Sequence, residues 1–180
     1  MANLEPLIQS IPVAPLKLAS LEGCRTLADQ VNNYLVSFRH ESPTNVGQAD
    51  SLQGYCADSY LLECECPRFG SGEGKGVLKE SVRGCDLFIM VDVTNYSLTY
   101  RVNGYENHMS PDNHYQDLKR IISAADGKAR RINVIMPFLY EGRQHKRSKR
   151  ESLDCALMLQ ELVDMGVSNI LTFDAHDPRV

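Results

Sequence analysis

The sequence lacks the long apolar run that a membrane protein needs. No stretch approaches the roughly 20 consecutive apolar residues of a membrane-spanning helix. The first fifteen residues contain no basic segment followed by an apolar core, so we expect no secretory signal peptide. These absences favour a cytoplasmic protein that has no membrane partner.

An excess of positive charge is also missing. The chain has 19 Lys and Arg against 23 Asp and Glu, a formal net charge of −4, which gives no support to a nucleic-acid partner. The positive charge is instead concentrated, because five basic side chains lie between Arg143 and Arg150. Such a run is most often a solvated loop, and only its surroundings can indicate a ligand.

Two common ligand motifs are absent as well. Cys64 and Cys66, with Cys56 nearby, have no second close pair or neighbouring histidine to complete a zinc site. We therefore expect the six cysteines to be reduced thiols. The glycine-rich stretch 70–76 lacks the spacing of a phosphate-binding P-loop, and no Ser or Thr follows Lys75. We interpret this stretch as a flexible turn.

The pattern that is present alternates between strands and helices. With 180 residues and 43% apolar content, the chain fits an N-terminal extension, 1–15, and one domain, 16–180. Apolar spacing predicts helices at about 22–38, 112–127 and 149–165, and strands at 16–19, 60–64, 76–79, 86–93, 131–136 and 169–173. This alternation predicts an α/β fold with a mostly parallel sheet flanked by helices.

The third predicted helix has recognisable ends. Ser148 and Glu151 have the spacing of a capping box at its start, and Gly166 suits its C-terminal cap. Its buried stripe is predicted to consist of Leu153, Ala156, Leu159 and Val163.

The strands on either side of this helix end in polar residues that suit phosphate chemistry. The strand at 131–136 leads into the basic loop containing Arg143 and Gln144, and the strand at 169–173 leads into Asp174 and His176. Ligands of open α/β sheets bind at the carboxyl ends of the strands. A guanidinium binds phosphate oxygens bidentately, and a histidine can contact phosphate, a metal ion or a proton in transfer. We therefore expect this edge to bind a polyphosphate together with a divalent metal ion.

Four segments carry a resemblance to a known family. Arg143–Arg147 is similar to R-Q-[D]-[KR]-[KR], and Asp174–Asp177 to D-L-H-A. Arg68–Glu73 resembles R-F-S-[DN]-[GQ]-E, and Glu80–Asp86 resembles E-[NS]-V-R-G-x-D. Taken in chain order, these segments resemble the N-terminal half of ribose-phosphate pyrophosphokinase (phosphoribosyl pyrophosphate synthetase) over roughly residues 16 to 178.

The resemblance implies a role for each matching residue. Arg143 and Gln144 would contact ATP, and Lys146 and Arg147 would add phosphate contacts. His176 would be catalytic and would bind Mg²⁺ directly or through water. Three residues would serve the adenine, with Phe69 packing against it and Ser71 and Glu73 reaching a neighbouring subunit's nucleotide. Ser81 and Arg83 would belong to a regulatory phosphate site.

The family implies a phosphoribosyltransferase-like N-terminal domain in a homo-oligomeric enzyme. That enzyme transfers diphosphate from Mg–ATP to ribose 5-phosphate for nucleotide biosynthesis. The chain departs from the family pattern at Ser148 and Asp177 and in a longer segment at 94–114. It also lacks the D-D-x-x-x-[ST]-G-G-[ST] loop for ribose 5-phosphate. We therefore expect the N-terminal half of a longer synthetase, inactive alone.

Two alternatives remain open. One is a non-catalytic regulatory relative of the synthetase, which would bind an authentic enzyme and alter its rate. The other is a metal-dependent phosphohydrolase that uses Asp174, His176 and Asp177.

Overall fold

The computed structural model describes residues 12–41 and 54–177. Most of the predicted N-terminal extension and most of the polar loop after the first helix lie outside these ranges. In chain order the elements are β1 (Leu16–Ser20), α1 (Arg25–Glu41), β2 (Leu61–Leu62), β3 (Cys64–Glu65), β4 (Val77–Leu78), β5 (Asp86–Met90), β6 (Thr99–Val102), β7 (Tyr105–His108), α2 (Pro111–Ala125), β8 (Arg131–Ile135), α3 (Asp154–Asp164) and β9 (Val167–Leu171).

Five strands form the central sheet in the order β2-β1-β5-β8-β9, and all of its pairings are parallel. The predicted α/β fold with a mostly parallel sheet is therefore confirmed. Because all five strands run the same way, the loops that follow them share one edge of the sheet. The strand order reverses between β1 and β5, which is the topological switch point of such sheets.

The core lies between this sheet and helices α2 and α3. Apolar residues of β5 and β8 are buried on both faces, as in other sheets that helices cover. The fully buried side chains of this layer include Leu87, Ile89, Leu118, Ile121, Val134 and Leu162. Burying each of these side chains contributes about 1.5–3 kcal/mol to folding.

Helix α2 begins and ends where the sequence predicts, and its ends have clear causes. Ser110 caps it, because its Oγ accepts a hydrogen bond of 3.2 Å from the backbone N–H of Asn113, and Pro111 is the first helical residue. Asp126 and Gly127 end it in left-handed backbone, with φ of 47° and 61°.

Helix α3 begins at Asp154, so the predicted start at 149 was wrong. Ser148 and Glu151 do hydrogen bond, at 3.1 and 2.9 Å, but the chain around them is not helical. A start at 149 would place Lys149 and Arg150 at the positive end of the helix dipole, whereas the observed start places Asp154 there.

The buried face of α3 was also mispredicted. The buried residues are Cys155, Met158 and Leu162, whereas Val163 of the predicted stripe is 58% exposed. The stripe is therefore displaced by about one position around the helix.

Two short hairpins extend from the sheet. Strands β3 and β4 pair antiparallel, and β4 confirms the strand predicted at 76–79. Strands β6 and β7 form a second hairpin, within the segment that is longer than the family pattern, and the sequence analysis missed it. Asn103 and Gly104 turn it with φ of 51° and 84°, which is the Asn-Gly signal of a tight hairpin turn.

Candidate functional site

The loops after β8 and β9 lie side by side at the carboxyl edge of the sheet. Parallel pairing continues beyond the strands through a bridge between Phe138 and Asp174. The backbone N–H of Leu139 donates to the Asp174 carbonyl at 3.1 Å, and the N–H of Asp174 donates to Pro137 at 2.9 Å. The basic loop and the Asp/His segment are therefore held together by backbone hydrogen bonds, as expected for neighbouring parallel strands.

The cations of the basic loop face solvent. The exposed side chains are Arg143, Lys146, Arg147, Lys149 and Arg150. No ion pair found among residues 12–41 and 54–177 involves any of these five. Their mutual repulsion in one short loop is relieved best by an anion, so the loop can bind several phosphate oxygens.

Gln144 occupies a different position from its neighbours. Its side-chain Nε2 donates to the backbone carbonyl of Ser152 at 2.7 Å. Its backbone carbonyl accepts from the N–H of Cys155 at 3.3 Å. Gln144 therefore shapes the loop by closing it onto the start of α3. The second hydrogen of Nε2 and the side-chain oxygen Oε1 remain available for a nucleotide contact while the bond to Ser152 is kept.

The turn before Arg143 is stabilised by a tyrosine and strained by a glutamate. Tyr140 Oη donates to Asp112 Oδ1 at 2.7 Å, which ties the loop to the start of α2. Glu141 has a left-handed φ of 54°. Burial, reinforced by the charges of Asp154 and Asp112, raises the pKa of its carboxyl.

His176 is exposed on the loop after β9, beside a second histidine whose side chain is only partly exposed. The rings of His176 and His145 are 6.1 Å apart between centroids, with 51° between their planes. His145 Nδ1 lies 3.1 Å from the Gly142 carbonyl, and its Nε2 lies 3.8 Å from Asp177 Oδ2. The predicted catalytic histidine is thus close to the basic loop through His145, a residue that the sequence analysis did not single out.

The predicted adenine loop lies elsewhere on the molecule. Phe69 is 53% exposed at a tight turn in which its N–H donates to Glu73 at 2.7 Å, and Ser71 Oγ donates to the Glu73 carboxylate at 2.8 Å. This turn packs against α2 and against Val102 of the β6–β7 hairpin. No hydrogen bond, ion pair or ring contact of the described residues joins Phe69 to the Arg143 loop.

Two glycines of this loop pack closely against neighbouring residues, and the flexibility of the turn stays a prediction. A Cβ on Gly76 would collide with the carbonyl of Arg120, and one on Gly74 would collide with the Arg68 guanidinium. Gly72 has a left-handed φ of 92°. These glycines permit close contact between the hairpin and α2.

The predicted regulatory residues lie at the opposite edge of the sheet. Ser81 and Arg83 are exposed and precede β5, and the N–H of Arg83 donates to Ser81 Oγ at 3.3 Å. The neighbouring Gly84 donates to the Lys128 carbonyl at 2.9 Å, just before β8. The structure therefore separates this pair from the carboxyl-edge loops by the length of a strand.

A cavity of about 550 Å³ lies at the switch point, beside β1 and the β6–β7 hairpin. Its charged side chains already pair with residues of the protein, as Arg25 does with Glu22 and Arg68 with Asp117. Burial, with the charge of Asp117 as a smaller cause, raises the pKa of the Cys66 thiol in its wall to about 12. The cavity is therefore a poorer candidate for a polyphosphate than the exposed cations of the Arg143 loop.

The elements and loops together define a class of protein, an α/β domain of the phosphoribosyltransferase type. Phosphoribosylpyrophosphate synthetase from Mycobacterium smegmatis has the same fold, with a TM-score of 0.65 at 24% identity, covering 91% of this chain and 44% of that one. A profile of the N-terminal domain of ribose phosphate pyrophosphokinase matches residues 16–166. The chain therefore belongs to this family.

Curated relatives agree. Ribose-phosphate pyrophosphokinases from Corynebacterium ammoniagenes and Bacillus cereus are each 29% identical over 167 residues, covering 92% of this chain and 41% of theirs. That from Bacillus caldolyticus is 30% identical over 122 residues, covering 67% of this chain and 34% of its own. The chain thus spans less than half the length of these relatives. None of its described helices is long and apolar enough to cross a membrane.

Proposed function

We propose that this chain is the nucleotide-binding half of a ribose-phosphate diphosphokinase, which transfers diphosphate from Mg–ATP to the 1-hydroxyl of ribose 5-phosphate. The observation that carries the proposal is the adjacency of the two carboxyl-edge loops. One presents the exposed cations that begin at Arg143, and the other presents Asp174 and His176. Diphosphate transfer needs this combination, because charge must be neutralised while the reacting oxygens are held in line.

The basic loop binds the polyphosphate of ATP in this proposal. Arg143 takes phosphate oxygens with its forked guanidinium, and Lys146 and Arg147 add charge beside it. Gln144 holds the loop in shape through Ser152. His176, exposed at the end of the neighbouring loop, hydrogen bonds a phosphate oxygen or a metal-bound water.

The residues present fit a Mg²⁺ ion that arrives with its nucleotide. No three His, Cys, Asp or Glu side chains in the described part of the chain are grouped to hold a metal ion by themselves. Mg²⁺ usually keeps several waters and binds through substrate phosphates with few protein ligands, and exposed Asp174 and His176 can supply such contacts. When bound, Mg²⁺ neutralises charge on the phosphate oxygens. The same finding removes support from a phosphohydrolase whose metal is held by Asp174, His176 and Asp177.

The remaining parts of the reaction require further protein. Ribose 5-phosphate would bind to a second half, corresponding to the part of the relatives that this chain does not match. No hydrogen bond, ion pair or ring contact of the described residues joins the exposed ring of Phe69 to the Arg143 loop. In this proposal the ring covers the nucleotide bound to a second copy of the chain. A cytoplasmic homo-oligomer follows from this proposal.

Calorimetric titration with Mg–ATP tests the nucleotide site. We expect Arg143→Ala to weaken binding at least about tenfold, since a charge-assisted contact to phosphate contributes about 1.5–3 kcal/mol. Arg130→Ala is the matched control, because Arg130 is equally exposed but lies before β8, at the opposite edge. Equal losses in both variants would contradict the site.

An activity assay separates the three candidate functions. We expect the chain alone to form no AMP from ATP and ribose 5-phosphate. AMP formation that depends on ribose 5-phosphate would contradict the need for a second half. A changed rate of an authentic synthetase, without product from the chain itself, would favour the regulatory relative. Phosphate release from simple esters with Mn²⁺ would favour the phosphohydrolase.

A further inference from the structure

His145 occupies an unusual position between the two carboxyl-edge loops. Its side chain is 10% exposed, although it lies among five exposed basic residues. Nδ1 is 3.1 Å from the Gly142 carbonyl, and because a carbonyl can only accept, Nδ1 carries the hydrogen. The ring is therefore fixed from one side by its own turn.

The other ring nitrogen is sealed from water and has no hydrogen-bond partner in the described part of the chain. Buried nitrogens that make no hydrogen bond are rare, because such a group loses its water without compensation. His145 Nε2 instead faces Asp177 Oδ2 at 3.8 Å, and the Asp177 side chain is 19% exposed. This separation is too long for a hydrogen bond, and it makes an ion pair only when the ring carries a hydrogen on both nitrogens.

The two residues join the loops where the backbone pairing ends. Backbone hydrogen bonds connect the two loops as far as Asp174 and Leu139. Past that point, within residues 12–41 and 54–177, His145 approaches Asp177 and makes a tilted ring contact with His176. The position of His176 thus depends on a residue of the opposite loop.

We propose that His145 and Asp177 form a positioning pair that holds the His176 loop against the Arg143 loop. The pair acts through His176 and Arg143 and does not itself touch the nucleotide. Its consequence for nucleotide binding rests on the proposed function, whereas its effect on the order of the loop does not.

The test is a double-mutant cycle with His145→Gln and Asp177→Asn, read out in two ways. Hydrogen–deuterium exchange of the segment 172–177 is measured without nucleotide, and the affinity for Mg–ATP by titration. We expect each single variant to speed exchange and weaken Mg–ATP binding by about three- to tenfold, in the range of a partly shielded ion pair. The double variant should be no worse than either single variant.

Reversal of the pair and remote controls sharpen the result. The swapped variant, His145→Asp with Asp177→His, keeps an imidazole facing a carboxylate and should recover part of the protection and affinity. His40→Asn and Asp164→Asn, at exposed helix positions, should change neither. Thermal unfolding midpoints establish that each variant is folded.

The outcomes are distinguishable. Additive effects of the two single variants, or exchange of 172–177 that is unchanged in both, would overturn the positioning pair. If the wild type fails to bind Mg–ATP, the proposed function fails, while the exchange measurements still decide on the pair.

Discussion

Arg68 and Asp117 form a two-pronged ion pair, with Nη1–Oδ1 and Nη2–Oδ2 distances of 2.6 and 2.8 Å. Arg120 donates to the same carboxylate at 2.6 Å, so one acid serves two guanidinium groups. The side chains of Arg68 and Asp117 are only 10% and 6% exposed. This pair fixes the start of the Phe69 loop to α2.

Replacing the shared acid should destabilise the fold strongly. Burial alone would lower the pKa of Arg68, but the hydrogen bonds and charge of Asp117 outweigh it and raise that pKa. Asp117→Asn leaves two shielded cations without a counter-charge, at an expected cost of about 3–5 kcal/mol of unfolding free energy. Urea denaturation measures this cost. Asp126→Asn, in an exposed pair with Lys128, should leave the curve almost unchanged, and equal effects would contradict the argument.

The close packing of the Phe69 loop predicts opposite behaviour for two of its glycines. Gly76→Ala forces a Cβ against the carbonyl of Arg120, and this backbone atom cannot move away independently. We expect a loss of about 1–3 kcal/mol of stability. Gly70 has no heavy atom within 4 Å of its Cβ position, so Gly70→Ala should be tolerated. Thermal unfolding of both variants checks this, and a tolerated Gly76→Ala would show that the loop can move.

Much of the fold was predictable because its signals are local. The buried runs of β5 and β8 and the caps of α2 are readable from short stretches of sequence. The start of α3 was missed because Ser148 and Glu151 satisfy a local rule that the surrounding cations override. The β6–β7 hairpin had a readable signal in the dipeptide Asn103-Gly104.

The features of the candidate site also divide into those that local sequence predicts and those that depend on contacts between distant residues. The location of Arg143 and His176 at the carboxyl edge of the sheet was predictable because each follows a parallel strand. The contact between His145 and Asp177 joins residues 32 positions apart, and nothing in local spacing predicts it. The packing of Gly76 against Arg120 is equally nonlocal, since it depends on how the hairpin meets α2.

The raised pKa of Glu141 predicts that replacing its carboxylate by a neutral amide stabilises the protein at neutral pH but not at acidic pH. Burial and two neighbouring acids raise the pKa of Glu141. The contribution of its protonated carboxyl to folding stability is therefore complete below its ordinary pKa. That contribution is lost as the pH rises through the raised value. Glu141→Gln should therefore match the wild type near pH 4 and be more stable at pH 7. Denaturation at the two pH values measures the difference.

Glu151 serves as a control because its pKa is shifted in the opposite direction. Hydrogen bonds from the backbone N–H and the hydroxyl of Ser148 lower the pKa of Glu151, so its contribution is present at neutral pH and lost on acidification. Glu151→Gln should therefore never be more stable than the wild type at pH 7. A gain at pH 7 in both variants would indicate a general effect of removing negative charge.

Two stacked tyrosines allow the stability of the core to be separated from the shape of the nucleotide loop. Tyr140 and Tyr115 stack with centroids 4.6 Å apart, but their hydroxyls point to different elements. Tyr140 bonds Asp112 and so ties down the basic loop, whereas Tyr115 bonds Glu161 at 2.8 Å and so joins α2 to α3.

Removing either hydroxyl should cost stability, but only one removal should affect the nucleotide. We expect Tyr140→Phe and Tyr115→Phe each to lower the unfolding free energy by about 1–2 kcal/mol, because each variant loses a hydrogen bond to a carboxylate. Tyr140→Phe should also weaken Mg–ATP binding several-fold, since the turn before Arg143 loses its connection to α2. Tyr115→Phe should bind Mg–ATP like the wild type. If the two variants weaken binding equally, the loop is positioned through the core, and the hydrogen bond from Tyr140 to Asp112 has no separate role.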